Sequence, residues 1–272
     1  MHPLLVAALV TAATWDAWRW YLARVWATPE DAVSLAATAM FLAVLGAART
    51  RPAAPCPFVP VQAAILLGVY ASSYAVLPAI MRAALAIAAT LSAFHLALFK
   101  QRPPIAFWGL VALALPVVPS LQFVLGYPMR VVSATLAVAL LEAQGLAVDR
   151  QGTFLIWHGE MVDFDAPCSG VNMLWAGLLL TLMGCLLFRL GAVKVAVAIT
   201  LSVALSIGSN ALRAASLFYV EAGLFAQAPA WWHEGIGLAA FTASAVATLW
   251  LLGRLRDIKP LDPEPQKLET MP

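Results

Sequence analysis

The sequence predicts an all-α, polytopic membrane protein. It has about eight transmembrane helices, with an extracytoplasmic amphipathic helix and a short hairpin outside the bilayer. Three observations predict this. Only 11% of the residues are charged and 62% are hydrophobic, where soluble domains carry roughly 25% charged residues. Apolar runs near the length needed to cross a bilayer, about 20 residues each, recur along almost the whole chain. Basic residues gather at the ends of alternate runs, the pattern that orients membrane helices.

The apolar runs fall at roughly 3–24, 31–48, 60–78, 82–99, 104–125, 169–189, 194–213 and 234–253. The opening "MHPLLVAALVTAATW" lacks the basic stretch of a cleavable signal peptide and reads as the first retained span. Within it, Asp16 and Arg19 share a helix face at i,i+3. The cluster of Trp15, Trp18, Trp20 and Trp26 marks that end as a membrane interface. An interfacial position for the pair is favoured over a buried one.

Arg49 and Arg51 follow the second run, and Lys100 and Arg102 follow the fourth. Arg189 and Lys194 flank the turn after the sixth, and Arg254, Arg256 and Lys259 follow the eighth. With both termini inside, all these sites share the cytoplasmic side, and the segment 126–167 lies outside. That segment holds "VVSATLAVALLEAQG" (131–145), whose uncharged core is too short to span. It reads as an amphipathic helix on the outer surface. Next, "TFLIWHGEMVDFD" has β-formers on both sides of His158-Gly159 and reads as a hairpin. Residues 1–256 form one integral membrane domain, and the proline-rich, polar stretch 257–272 reads as a disordered cytoplasmic tail.

Several function classes drop out. A net charge of +2 with no basic, aromatic-interleaved groove gives no support for nucleic-acid binding. Cys56, Cys168 and Cys185 are widely spaced and odd in number, which argues against a disulfide framework. No close cysteine/histidine cluster supports a zinc site, and Asp163 with Asp165 make a weak cation site. No cofactor or metal is expected.

The predicted topology brings polar residues to one membrane face. "FDAPCSGVNMLWAG" puts Cys168 at the outer start of the sixth span. Pro167 suits the first turn of a helix, with Asp165 as the favoured cap. Cys168 would then lie near the positive end of the helix dipole, which favours the nucleophilic thiolate. The seventh span delivers Asn210 and Arg213 to the same side, and the eighth starts at "WWHEGIG" with His233 and Glu234. A nucleophile, a permanent cation and a proton carrier near neutral pH are the minimum set for acyl transfer through a thioester. Taken singly, each has a plainer reading: packing for the cysteine, headgroup contact for the arginine, interface residence for the histidine. Cys185, Cys56, His95 and His158 are read as structural.

At these residues the sequence resembles the exosortase/archaeosortase family of membrane cysteine transpeptidases. The family pattern is C-S-G at the outer end of a span, then N-x-x-R, then H-x-x-x-G. Here these are Cys168-Ser169-Gly170, Asn210 through Arg213, and His233 through Gly237, with Phe241 beyond. The likeness covers about 121–245, where "LQFVLGYPMRVVSATLAVALLEAQG" also resembles a family segment; residues 1–120 resemble it in hydropathy alone. The family usually has alanine before the cysteine, where this chain has Pro167.

The resemblance implies a multi-pass enzyme of the bacterial inner membrane with its active site on the extracytoplasmic face. Its partners are the lipid bilayer and exported proteins with a C-terminal motif such as Pro-Glu-Pro, a membrane helix and a basic cluster (PEP-CTERM-like tails). Cys168 would be the nucleophile, Arg213 the charge stabiliser and His233 the proton carrier. Asn210, Ser169 and Gly170 would support them. Two rival readings are a plain membrane protease using the same residues, and a transporter or structural component of an envelope or polysaccharide assembly. Transporters favour midplane polar groups and inverted repeats, whereas this chain gathers its polar residues at one interface.

Overall fold

The computed structural model describes residues 3–27, 33–35, 37–40, 42–43, 59–99, 103–162, 170–224, 229 and 231–258. Apolar helices dominate. The first run is bent: α1 (Pro3–Ala13) and α2 (Trp15–Ala27) meet at Thr14. The Thr14 hydroxyl donates to the Val10 carbonyl at 2.9 Å, a back-bond that bends helices. Asp16 and Arg19 do pair, at 3.0 Å, and the arginine side chain stays 73% exposed. Asp16 also accepts from the hydroxyl of Tyr74.

Helices α3 (Val59–Ser73) and α4 (Ala79–Phe99) form a hairpin against which the bent pair packs. Ala7 is buried with Ala63, Ala89 and Ala93, and Ala17 with Tyr70 and Ala86. Such small residues let helices approach closely where lipid supplies no hydrophobic drive. Of the run 31–48, residues 33–35, 37–40 and 42–43 are helical, and the rest lies outside the described residues.

The expected span 104–125 is two helices. α5 (Ile105–Leu113) ends before Leu115-Pro116-Val117, and α6 (Val118–Glu142) begins beyond it. Proline lacks an N–H and pushes the residue before it out of helical geometry. Helix α6 then continues through Pro128 for 25 residues. The stretch 131–142 is therefore the second half of that helix, and the expected separate amphipathic helix is corrected. An unbroken alanine-, leucine- and valine-rich sequence after Pro128 carries the helix on.

The hairpin forms where expected, as part of a three-stranded antiparallel sheet. β1 (Asp149–Gln151) precedes β2 (Phe154–Trp157) and β3 (Glu160–Val162), with Leu155 opposite Val162. His158 and Gly159 have φ of 51° and 82°, as a two-residue hairpin turn with positive φ at both positions requires. Leu155, Val148 and Val162 are buried against Ala137 and Leu141 of α6 and against Phe218.

Three helices complete the chain: α7 (Val171–Leu187), α8 (Ala192–Glu221) and α9 (Trp232–Asp257). Small residues set their spacing. A Cβ on Gly177 would lie 2.9 Å from Ser206 Oγ, and one on Gly184 would lie 2.5 Å from Leu252 Cδ1. At the end away from the sheet, Lys194 donates to the Ile258 carbonyl, and the Arg256 guanidinium lies 5.5 Å from the Phe188 ring centroid. Arg189 and Arg254 belong to the same end, so the sequence-derived basic cluster of the last three helices is real.

Among the described residues, α6, α8 and α9 are long and apolar enough to cross a bilayer. Helix α7 is apolar but has 17 residues, about 25 Å of helix. The chain is a mostly helical, multi-pass membrane protein, and the expectation of eight separate spans is met only in part.

Candidate functional site

Two close approaches define the site. The first joins α7 to α8. Gly170 is the N-cap of α7 with φ of 77°, a conformation that costs side-chain-bearing residues energy. A Cβ there would lie 2.8 Å from Cγ and Nδ2 of Asn210. Glycine is thus required both by the backbone and by the neighbour. Asn210 is 1% exposed, and its Nδ2 donates to the Ser133 hydroxyl of α6 at 2.8 Å. One buried amide therefore fastens α6, α8 and the start of α7.

The second approach joins α8 to α9. A Cβ on Gly237 would lie 3.2 Å from Cζ, Nε and Nη2 of Arg213. The guanidinium is laid flat against the glycine. Its Nε is buried and makes no hydrogen bond among the described residues. A hydrogen bond from the Ser209 hydroxyl to the Ala240 carbonyl, 2.7 Å, locks the same stretch of the two helices. His233 precedes Gly237 by four residues, so both lie on one face of α9, a turn apart. Its Nδ1 is 4.0 Å from Glu221 Oε1 at the end of α8.

These contacts put Gly170, Asn210, Arg213, Gly237 and Ser133 at one level of the bundle. From Asn210 to Lys194, α8 runs about 24 Å, and from Gly237 to Arg254, α9 runs about 26 Å, at 1.5 Å per residue. That distance approaches the roughly 30 Å of a bilayer's hydrocarbon core. Polar site and basic end thus sit at opposite ends of one helical slab. Beside the seam, α6, α8 and α9 line a groove of about 670 Å³, walled by Leu140, Leu212, Tyr219, Trp231, Trp232 and Ile236.

Of the sequence-derived site, Arg213, Asn210 and Gly170 meet at this level, with His233 one turn along α9. Cys168 and Ser169 lie outside the described residues, as do Asp163 and Asp165. The helix itself starts at Val171 after a left-handed Gly170. The expected first helical turn at Pro167 and Cys168, capped by Asp165, is therefore not the start of this helix. Ser133 and Glu221 were not foreseen. Glu221 carried a signal: an acid at a helix C-terminus opposes the dipole. Ser133 is one hydroxyl in an apolar helix, and nothing in its neighbourhood sets it apart.

Comparison with known proteins identifies the family. No curated protein and no solved structure matches the chain. The family described as transmembrane exosortase matches residues 1–250. That match reaches well beyond 121–245 and takes in the first half, which had resembled the family in hydropathy alone. Nearly the whole helical chain is covered, so the protein belongs to the transmembrane exosortase family.

Proposed function

We propose that this exosortase is a cysteine transpeptidase that cleaves C-terminal sorting tails from exported proteins through a thioester on Cys168. The Cys168 thiolate adds to the scissile carbonyl carbon, and the Arg213 guanidinium neutralises the oxyanion. Collapse breaks the C–N bond, and His233 gives a proton to the departing amine. The upstream protein remains as a thioester. An acceptor nucleophile that yields its proton to His233 then displaces the thiolate. Asn210 orients the Arg213 turn, and the backbone of Ser169 and Gly170 contributes N–H donors to the oxyanion.

One observation carries this reading. Arg213 is pressed against Gly237 with a buried Nε that makes no hydrogen bond among the described residues, one turn from His233 and level with Gly170. A guanidinium held this way is a charge waiting for an anion. Covalent geometry adds support: Cys168 is two residues from Gly170, a reach of about 7 Å at most. The basic end of the slab supports a cytoplasmic placement for Lys194 and Arg254 by the positive-inside tendency. The site then faces the extracytoplasmic side of the inner membrane. The groove beside α9 offers an apolar bed for substrate next to the reacting groups.

The test is co-expression with an exported protein ending in a Pro-Glu-Pro motif, an apolar helix and a basic cluster. Cys168→Ala is expected to leave that protein unprocessed while the enzyme still accumulates in the membrane. Mass spectrometry of the wild type is expected to find an acyl adduct on Cys168. Normal processing by the alanine variant would refute the proposal.

A further inference from the structure

The two helix ends at the site carry an acid and a base whose charged forms their own helices disfavour. Glu221 is the last residue of α8, and His233 is the second residue of α9. A helix C-terminus carries partial negative charge and an N-terminus partial positive charge. An anion on the first and a protonated imidazole on the second are both misplaced by local rules. Breaches of local rules tend to mark functional positions. The two side chains also meet, with Nδ1 of His233 4.0 Å from Oε1 of Glu221. Neither helix end gains from this arrangement alone.

We infer that Glu221 is a positioning residue for His233: its carboxylate accepts the Nδ1–H and leaves Nε2 as the basic nitrogen. The inference rests on the reading of His233 as the proton carrier. A histidine base needs its tautomer and ring orientation fixed by a partner on the other nitrogen. The 4.0 Å separation closes by side-chain rotation at two partly exposed residues. Catalytic hydrogen bonds are often long before substrate arrives and shorten in the complex. Glu234, next to His233 in sequence, projects about 100° around the helix from it and so faces another way.

The experiment uses the full-length enzyme in detergent with a tail-bearing substrate protein, and follows acyl-enzyme formation on Cys168. Glu221→Ala is expected to lower its maximal rate about 10- to 100-fold, the scale of a misplaced catalytic group. The KM should stay within about twofold, because the loss falls on the transition state. Glu234→Gln is expected to keep the wild-type rate. A second readout is independent of turnover. The chain has 4 histidines, so ¹⁵N spectra of histidine-labelled enzyme resolve the His233 tautomer. In its neutral state, the wild-type His233 is expected to hold the Nδ1–H form, and Glu221→Ala to lose that preference. An alanine variant within about twofold of wild type, or with an unchanged tautomer ratio, would overturn the inference. If His233→Ala is inactive while Glu221→Ala is not, this inference alone fails. If His233→Ala keeps the wild-type rate, the proton-carrier role fails and takes this inference with it.

Discussion

Gly237→Ala separates packing from chemistry at the site. The added methyl would lie 3.2 Å from three atoms of the Arg213 guanidinium. Comfortable carbon contacts are about 3.5–4.0 Å, so the guanidinium must retreat by about 0.3–0.8 Å. Stability should barely register the change. Overpacking costs about 1–3 kcal/mol, at the low end here because the obstructed group is the tip of a flexible side chain. Alanine in place of helical glycine returns about 0.8–1.0 kcal/mol. The net effect is within about 1 kcal/mol either way. Activity should respond more. A misplacement of about 1 Å costs about 100-fold, so half that displacement is expected to cost about tenfold. The assay pairs initial processing rates in membranes with thermal melting of the purified enzyme. A variant processing at the wild-type rate would show that the close Arg213–Gly237 approach has no part in the chemistry. Parallel loss of melting temperature and rate would reduce the glycine to a packing element.

Other outcomes follow from the same geometry. Gly170→Ala meets both a left-handed backbone and Asn210 at 2.8 Å, so strain of about 1–2 kcal/mol should lower the melting temperature, with a larger loss for valine. Ser133→Ala removes the hydroxyl to which the buried Asn210 Nδ2 donates, and the loss of that hydrogen bond is expected to cost about 0.5–1.5 kcal/mol in denaturation. Cys185 is 1% exposed inside α7. A membrane-impermeant maleimide applied from outside is therefore expected to label a Cys56→Ser, Cys185→Ser chain and to miss Cys168→Ala. Labelling of the latter would contradict the assigned sidedness.

The last three helices were readable because each is a long apolar run with charge at one end. Arg189, Lys194 and Arg254 marked the basic end, and Asn210, Arg213 and His233 marked the other. The hairpin was readable from His158-Gly159 because few residue pairs accept that turn. The break at Pro116 went unread because hydropathy averages across it and registers apolarity, not backbone geometry. The continuation through Pro128 was missed for the opposite reason: one absent N–H does not end a helix rich in alanine and leucine. The pairing of Gly237 with Arg213 and of Gly170 with Asn210 depends on which faces meet. A single sequence encodes that only as unexplained glycines.

Gly177 and Gly184 lie within the slab, well below the polar site, with Ser206 and Leu252 filling the room left by their missing side chains. Those two vacancies set how closely α7 lies against α8 and α9. A larger side chain at either position would push α7 away from α8 or from α9, and with it the Gly170 cap that lies against Asn210. The fit of the polar level is thereby set partly inside the apolar slab, where a substitution can disturb it without replacing any polar side chain.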